Sequence, residues 1–182
     1  MIITGGEARG RRIASPEGMT VRPTAAKIRQ AFFNILGPRI VGAHFLDVFA
    51  GSGLIGLEAL SRGAELLVSI EENRKMARAI EENLNKLGYK GTVIKSDFRA
   101  ALPHLDAGSF DIIFADPPYK SPFAVNLLQA LDHRSLLKSD GLVAIEHAKG
   151  HKFPEDLVHF RLQDTRTYGR TGISFFVACQ NS

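Results

Sequence analysis

Asp116-Pro117-Pro118-Tyr119 follows directly on the apolar run of residues 110–115 and brings an acid, a bare carbonyl and an aromatic ring to one point of the chain. The run reads as a buried strand, and the two prolines fix φ and stiffen the backbone where the strand ends. Ligands of open α/β sheets bind at that end of the strands. The set suits a flat, nitrogen-rich substrate. Tyr119 offers a stacking face, while the Asp116 carboxylate and the Pro117 carbonyl accept hydrogen bonds from an amino group.

A second chemical segment spans residues 47–56, with Gly51, Gly53 and Gly56 spaced as G-x-G-x-x-G between a strand and a helix. Such glycines let the backbone approach a ligand at a helix N-terminus. Glu71 closes the next strand, where an acid accepts ribose hydroxyls. Both dinucleotide and adenosyl folds use this arrangement. Three details favour S-adenosylmethionine. Asp47 sits at the strand end, placed to meet the ammonium of a methionine moiety, and would oppose a pyrophosphate. Asp97 and Phe98 follow the third strand and offer an acceptor for an adenine amino group and an apolar wall; Asp97 also suits a helix N-cap. Asp116 follows the fourth strand, beside the expected sulfonium.

These segments need a scaffold of alternating strands and helices. Residues 1–23 read as short strands around Gly5-Gly6 and Gly10. Thr24 is placed to cap a helix carrying Ile28, Phe32 and Ile35, which Gly37-Pro38 stops. Strands are expected at 45–49, 66–70, 92–95, 110–115, 142–145, 160–165 and 173–178. Helices are expected at about 54–61, from Asn73 to Gly88 with Met76, Ile80, Leu84 and Leu87 on one face, at 100–105 and at 123–131. The alternation predicts an α/β fold with a doubly wound, mostly parallel sheet.

The 182 residues fit one domain, 45% of them apolar and without a long apolar stretch or a signal-like N-terminus. Cys179 is the only cysteine, which excludes a disulfide framework and suits a buried position in the last strand of a cytoplasmic protein. The six histidines show no metal-ligand spacing, and His147 and His151 are expected in a loop after a strand. Residues 1–40 carry seven basic side chains against Glu7 and Glu17, while the whole chain is only +4. This uneven charge is the footprint of a nucleic-acid partner, with Arg9, Arg11, Arg12 and Arg22 as candidate phosphate contacts.

The two motifs together resemble class I methyltransferases that modify exocyclic amino groups of nucleic-acid bases. Gly5-Gly6 with Gly10-Arg11-Arg12, Val21-Arg22-Pro23-Thr24, residues 45–64, 68–71 and 110–119, and Tyr168-Gly169-Arg170-Thr171 extend the resemblance to the bacterial 16S rRNA guanine-N2 methyltransferases. Gly5 stands where that family's opening block suggests alanine. The resemblance implies a Rossmann-like seven-stranded sheet, S-adenosylmethionine as donor, and a guanine of 16S rRNA or the assembling small subunit as acceptor. It divides the chain into a small, basic, RNA-facing β-hairpin and helix extension, 1–40, and a methyltransferase domain, 41–182. Catalysis falls to Asp116, Pro117 and Tyr119, and cofactor binding to Asp47, Phe49, Gly51, Ser52, Gly53, Glu71, Asp97 and Phe98. Arg22, Thr24 and Glu146 are further candidates to line the site, although Thr24 also suits a plain helix cap and Glu146 a surface ion pair. A different RNA amino-methyltransferase, a DNA adenine-N6 methyltransferase, a nicotinamide oxidoreductase and a non-catalytic RNA-binding protein are the alternatives. The absence of a separate DNA-recognition segment, of a Tyr-x-x-x-Lys pair, and of any role for Asp116 in the last two weighs against the last three.

Overall fold

A computed structural model describes residues 1–14, 23–118 and 122–179. Seven strands form one sheet in the order β3-β2-β1-β4-β5-β7-β6. They are β1 His44–Val48, β2 Leu66–Ile70, β3 Thr92–Ile94, β4 Phe110–Ala115, β5 Leu137–Ala148, β6 Phe160–Tyr168 and β7 Thr171–Ala178. The first five are parallel, and β7 runs antiparallel between β5 and β6. Helices α1 Pro23–Leu36, α2 Leu54–Ser61, α3 Arg74–Leu87, α4 Phe98–Ala101 and α5 Phe123–Arg134 cover its faces. The central strands are buried on both sides, which explains their continuous apolar runs. No helix among the described residues is long and apolar enough to cross a membrane.

Local chemistry sets most boundaries. Asn73 accepts from the N–H groups of Lys75 and Met76 at 3.0 and 3.3 Å and so starts α3. Gly88 ends it in the left-handed region. The buried face of α3 is Ala77, Ile80, Asn83 and Leu84, with Met76 and Leu87 only half-buried. Asn83 belongs there because its side-chain amide exchanges two 2.8 Å hydrogen bonds with the Ala14 backbone.

Several expectations are corrected. Helix α1 begins at Pro23, whose missing N–H suits the first helical position, so the cap position lies before Thr24. Its buried row is Ile28, Phe32 and Leu36, whereas Ile35 is 44% exposed. Residues 1–14 pair as a short antiparallel hairpin outside the main sheet: Ile2 bridges Arg12, the Ile3 N–H donates to the Arg11 carbonyl at 3.1 Å and the Ile13 N–H to the Met1 carbonyl at 3.0 Å, around a turn with Gly6 and Gly10 at positive φ. His147 lies within β5 and is buried. Its Nδ1 is 2.9 Å from the Ala148 carbonyl, which can only accept, so Nε2 accepts from the Ser174 hydroxyl at 2.8 Å. Strand β5 outruns its expected span because its carboxyl end pairs with β7 as far as Ala148–Thr171. Cys179 is half-buried and stands one residue beyond β7.

The opening segment shares the core rather than hanging from it. Ile3, Ala8 and Ile13 are buried in one cluster with α1, α2 and one sheet face. Gly6 lies so close to the end of α2 that a Cβ there would sit 1.8 Å from the Ser61 carbonyl oxygen.

Candidate active site

The carboxyl ends of β1, β2, β3 and β4 converge on one cleft, lined by Phe49, Glu71, Asp97, Phe98, Asp116 and Phe123 among others. Its volume, about 620 Å³ including the part open to solvent, accommodates a nucleoside-sized group.

Strand β1 ends at Val48, and Phe49 then takes a φ of 61°, one of two non-glycine residues at positive φ among the described residues. That conformation costs on the order of 1–2 kcal/mol for an ordinary side chain. It puts the Phe49 ring 5.8 Å from Phe123 at an interplanar angle of 18°, and 5.1 Å from Phe98. Three rings from three separate segments thus make the apolar wall. Gly53, at φ 74°, then leads into α2. Gly56 is packed so closely that a Cβ would fall 2.7 Å from Leu67 and 3.2 Å from the Asp47 carboxylate.

Asp47 is 2% exposed beneath this turn and accepts the Gly56 N–H at 3.1 Å through Oδ2. Burial pushes its carboxyl up to about 8; the Gly56 bond opposes the shift, and the nearby Asp116 and Glu71 charges reinforce it. It occupies the helix terminus that a dinucleotide fold reserves for pyrophosphate. A buried acid facing two others calls for a cation.

Glu71 is already oriented. Its Oε2 accepts from Gly51 N–H at 2.7 Å and its Oε1 from Asn73 N–H at 2.8 Å, leaving further lone pairs for hydroxyls. Asp97 caps α4 by accepting from the Arg99 N–H at 2.8 Å, and it pairs with the Arg99 guanidinium, also at 2.8 Å. That partner holds its carboxyl below the usual carboxylate range. The capping role therefore holds, and the same residue lines the cleft.

Asp116 is exposed at the tip of β4 and Pro117 is buried behind it. Tyr119 lies outside the described residues, as does Arg22. Gly51, Ser52 and Gly53 form the turn above Asp47, with Ser52 buried. Glu146 lies within β5 and is 8% exposed, so it is not a surface residue. Phe123 was not legible as a wall residue; its only signal was an aromatic residue at a helix start soon after the Asp-Pro-Pro segment.

Among the described residues, the candidate phosphate contacts Arg9, Arg11 and Arg12 do not converge on the cleft. Helix α2 descends about 12 Å from the glycine turn toward the amino ends of the strands. The backbone of Glu7 is hydrogen-bonded to Ser61 at its far end, 2.8 Å away. Exposed Arg9 and Arg11 belong to that turn, so they stand toward the end of the sheet opposite Asp116, with exposed Arg12 just beyond them. Arg29 is buried against Glu58, and Arg39 donates to the Asp140 carbonyl. Helix α1 feeds the amino end of β1 through the turn Gly37–Ile40, so its own first turn points to the cleft end.

This strand order, with a glycine turn after β1, an acid after β2 and Asp-Pro-Pro after β4, defines a class I methyltransferase fold. The chain belongs to the family described as conserved hypothetical protein 95, which matches residues 1–177. YlbH of Bacillus subtilis is 34% identical over 181 residues, covering 97% of this chain and 98% of that one. Ribosomal RNA small subunit methyltransferase D of Escherichia coli K12 is 31% identical over 180 residues, or 96% and 88% of the two chains. The solved structure of the Escherichia coli methyltransferase yhhF superposes with a TM-score of 0.85 at 30% identity, covering 97% of this chain and 96% of that one.

Proposed function

We propose that this chain transfers a methyl group from S-adenosylmethionine to the N2 amino group of a guanine in 16S rRNA, free or in the assembling small subunit. The observation that carries this reading is the acid cluster at the carboxyl ends of β1, β2 and β4, with buried Asp47 at its base. The donor set fits the cofactor. Asp47 meets an ammonium, Glu71 accepts ribose hydroxyls, and Phe49, Phe98 and Asp97 take the adenine, with Gly51, Ser52 and Gly53 shaping the turn. When bound, the cofactor supplies an electrophilic methyl group on a sulfonium. The small-subunit rRNA in the name of the Escherichia coli relative supplies the acceptor class.

A guanine amino nitrogen is a poor nucleophile because its lone pair is delocalised into the ring. Asp116 and the Pro117 carbonyl each accept one of its N–H groups, which favours a pyramidal nitrogen and localises that pair. Positioning then does most of the catalysis. The methylated nitrogen would then have to lose one proton, and the Asp116 carboxylate, hydrogen-bonded to that N–H, would accept it and pass it to solvent. Tyr119 stacks on the extruded base. Arg9, Arg11, Arg12 and Arg22, in the extension of residues 1–40, contact phosphates and position the RNA without reading it. The reaction takes place in the cytoplasm, where subunits assemble.

The test is nucleoside mass spectrometry of 16S rRNA from a deletion strain, before and after treatment with the protein and S-adenosylmethionine. A single N2-methylguanosine restored by the protein is the expected result. Restoration of N6-methyladenosine instead, or calorimetric binding of NAD with no response to S-adenosylmethionine, overturns the reading.

A further inference from the structure

Glu146 is one of the acids at this end of the sheet for which the proposed reaction has no use. Strand β4 pairs with β5 in parallel, with Ala115 opposite Ile145, so Asp116, the first residue past the end of β4, comes next to Glu146 of β5 in that register. Adjacent strands lie about 4.8 Å apart. Side chains alternate along each strand: Phe114 and Ala144 belong to the core cluster on the α1 side, and Ala115 and Ile145 to the opposite cluster. Asp116 and Glu146 therefore both follow on the α1 side. That face is also where Phe32 of α1 packs 4.8 Å from Phe114. Glu146 is only 8% exposed; it lines a small recess with Pro117, Ala124, His147 and His151 that adjoins the Asp116 cleft through Pro118, which borders both.

We infer that Glu146 determines base specificity by accepting the N1–H of the target guanine while Asp116 and Pro117 hold its N2 amino group. This rests on the guanine-N2 reading above. The Watson–Crick edge of guanine carries two adjacent donors, N1–H and N2–H. Adenine presents a lone pair at N1. Two acids on neighbouring strand tips match the donor–donor edge. With adenine, the same pair sets a carboxylate against a lone pair, an acceptor facing an acceptor in a poorly solvated recess. A site built to pair a polar group rejects an analogue that lacks it far more strongly than an apolar pocket rejects a missing methylene. Asp-Pro-Pro-Tyr alone serves guanine and adenine amino groups alike, so the discrimination has to come from a further residue.

The experiment uses 2-aminopurine, which keeps the 2-amino group but has no hydrogen on N1. Once the methylated guanine has been mapped, 16S rRNA is assembled by ligation with guanine or 2-aminopurine at that position. Single-turnover transfer is then measured for the unaltered protein and for Glu146→Gln. The unaltered protein should prefer guanine by roughly 100-fold or more. The variant, whose amide both donates and accepts, should lose most of that ratio, chiefly through slower transfer to guanine. Calorimetric S-adenosylmethionine affinity matching the parent shows that the variant is folded; if Glu146→Gln fails that control, the same ratio is read from Glu146→Asp, which draws the carboxylate back by one methylene and should lower the preference at least roughly tenfold, an unchanged ratio again overturning the role. A folded Glu146→Gln that still prefers guanine as strongly as the parent overturns this role and leaves the guanine-N2 reading standing. An unaltered protein that methylates no guanine overturns both.

Discussion

Two carboxylates are buried within two residues' reach of each other along α2, and their surroundings differ completely. Glu58, fully buried in the helix, has Arg29 at 2.9 Å, Arg62 at 2.7 Å and the Thr4 hydroxyl at 2.7 Å. The Thr4 N–H at 3.1 Å completes its shell. Asp47, 2% exposed, accepts from Gly56 of the same helix at 3.1 Å and feels Asp116 and Glu71 as like charges. Glu58 is compensated from within the chain, and its partners come from the opening segment, α1 and α2, so it ties the extension to the sheet. Asp47 is arranged to be compensated from outside. One end of the domain is closed chemistry and the other is open.

The largest effect separating these ends is catalytic. Asp116→Ala should reduce methyl transfer by orders of magnitude while leaving S-adenosylmethionine affinity within a few-fold, because its contacts matter mostly in the transition state. Single-turnover rates paired with calorimetry measure both. Loss of cofactor binding with retained turnover would place Asp116 in the cofactor site instead.

The next effect concerns the two buried acids directly. Glu58→Gln leaves two arginines without a counter-charge and should cost about 3–5 kcal/mol in denaturant unfolding. Asp47→Asn should instead leave the free protein as stable or more so at pH 8, yet weaken S-adenosylmethionine binding roughly 30- to 1000-fold. Equal destabilisation by the two substitutions would erase the contrast.

A smaller effect is proton linkage. The Asp47 carboxyl, at about 8 in the fold against 3.8 in the unfolded chain, retains a proton that unfolding releases. Its stabilising contribution is full below pH 4 and is lost as pH rises toward 8. His147, buried and neutral, acts in the opposite sense below 6.5. The clean window is therefore pH 6.5 to 8, where unfolding free energy should fall by up to about 1.4 kcal/mol per pH unit. Saturating S-adenosylmethionine should flatten that slope, since its ammonium keeps Asp47 ionised. Calorimetric scans across the window, with and without cofactor, read this; an identical slope in both would mean that the ammonium sits elsewhere.

The open end was far more legible in the sequence than the closed one. The glycine turn, Glu71 and Asp-Pro-Pro are short segments whose geometry follows from neighbours in the chain, so residue types and spacing suffice. Glu58 in Gly-Leu-Glu-Ala-Leu reads as an ordinary surface residue of a helix. Its burial depends on Arg29 and Thr4, which approach only after the chain has folded. The α1 face was misread for the same reason: Ile35 satisfies helical spacing as well as Leu36 does, and only the way the helix settles on the sheet, with Phe32 against Phe114, decides between them. Phe49 was assigned to a strand because an aromatic after Val48 extends the apolar run, whereas the turn bends it into the left-handed region. Phe123 reaches the cleft through α5, which no local pattern encodes.

The smallest expected effect tests whether the closed end takes part in RNA binding at all. Arg9, Arg11 and Arg12 are exposed, but Arg9 and Arg11 stand toward the end of the sheet opposite Asp116. Phosphate contacts there require an RNA long enough to leave the cleft and pass along α1 toward the opening turn. Neutralising Arg11 and Arg12 together should therefore weaken binding of 16S rRNA whatever its sequence, and reduce the salt slope of log affinity by about one unit per lost contact. A short hairpin carrying only the target guanine should bind both proteins alike, because it ends before it reaches the turn. Cofactor affinity should stay unchanged. Equal salt slopes on the long RNA would mean that the turn serves only to clamp the extension. The phosphate contacts would then belong to Arg22, which precedes α1 in the sequence, or to Arg166 within β6 and Arg170 at the β6–β7 connection.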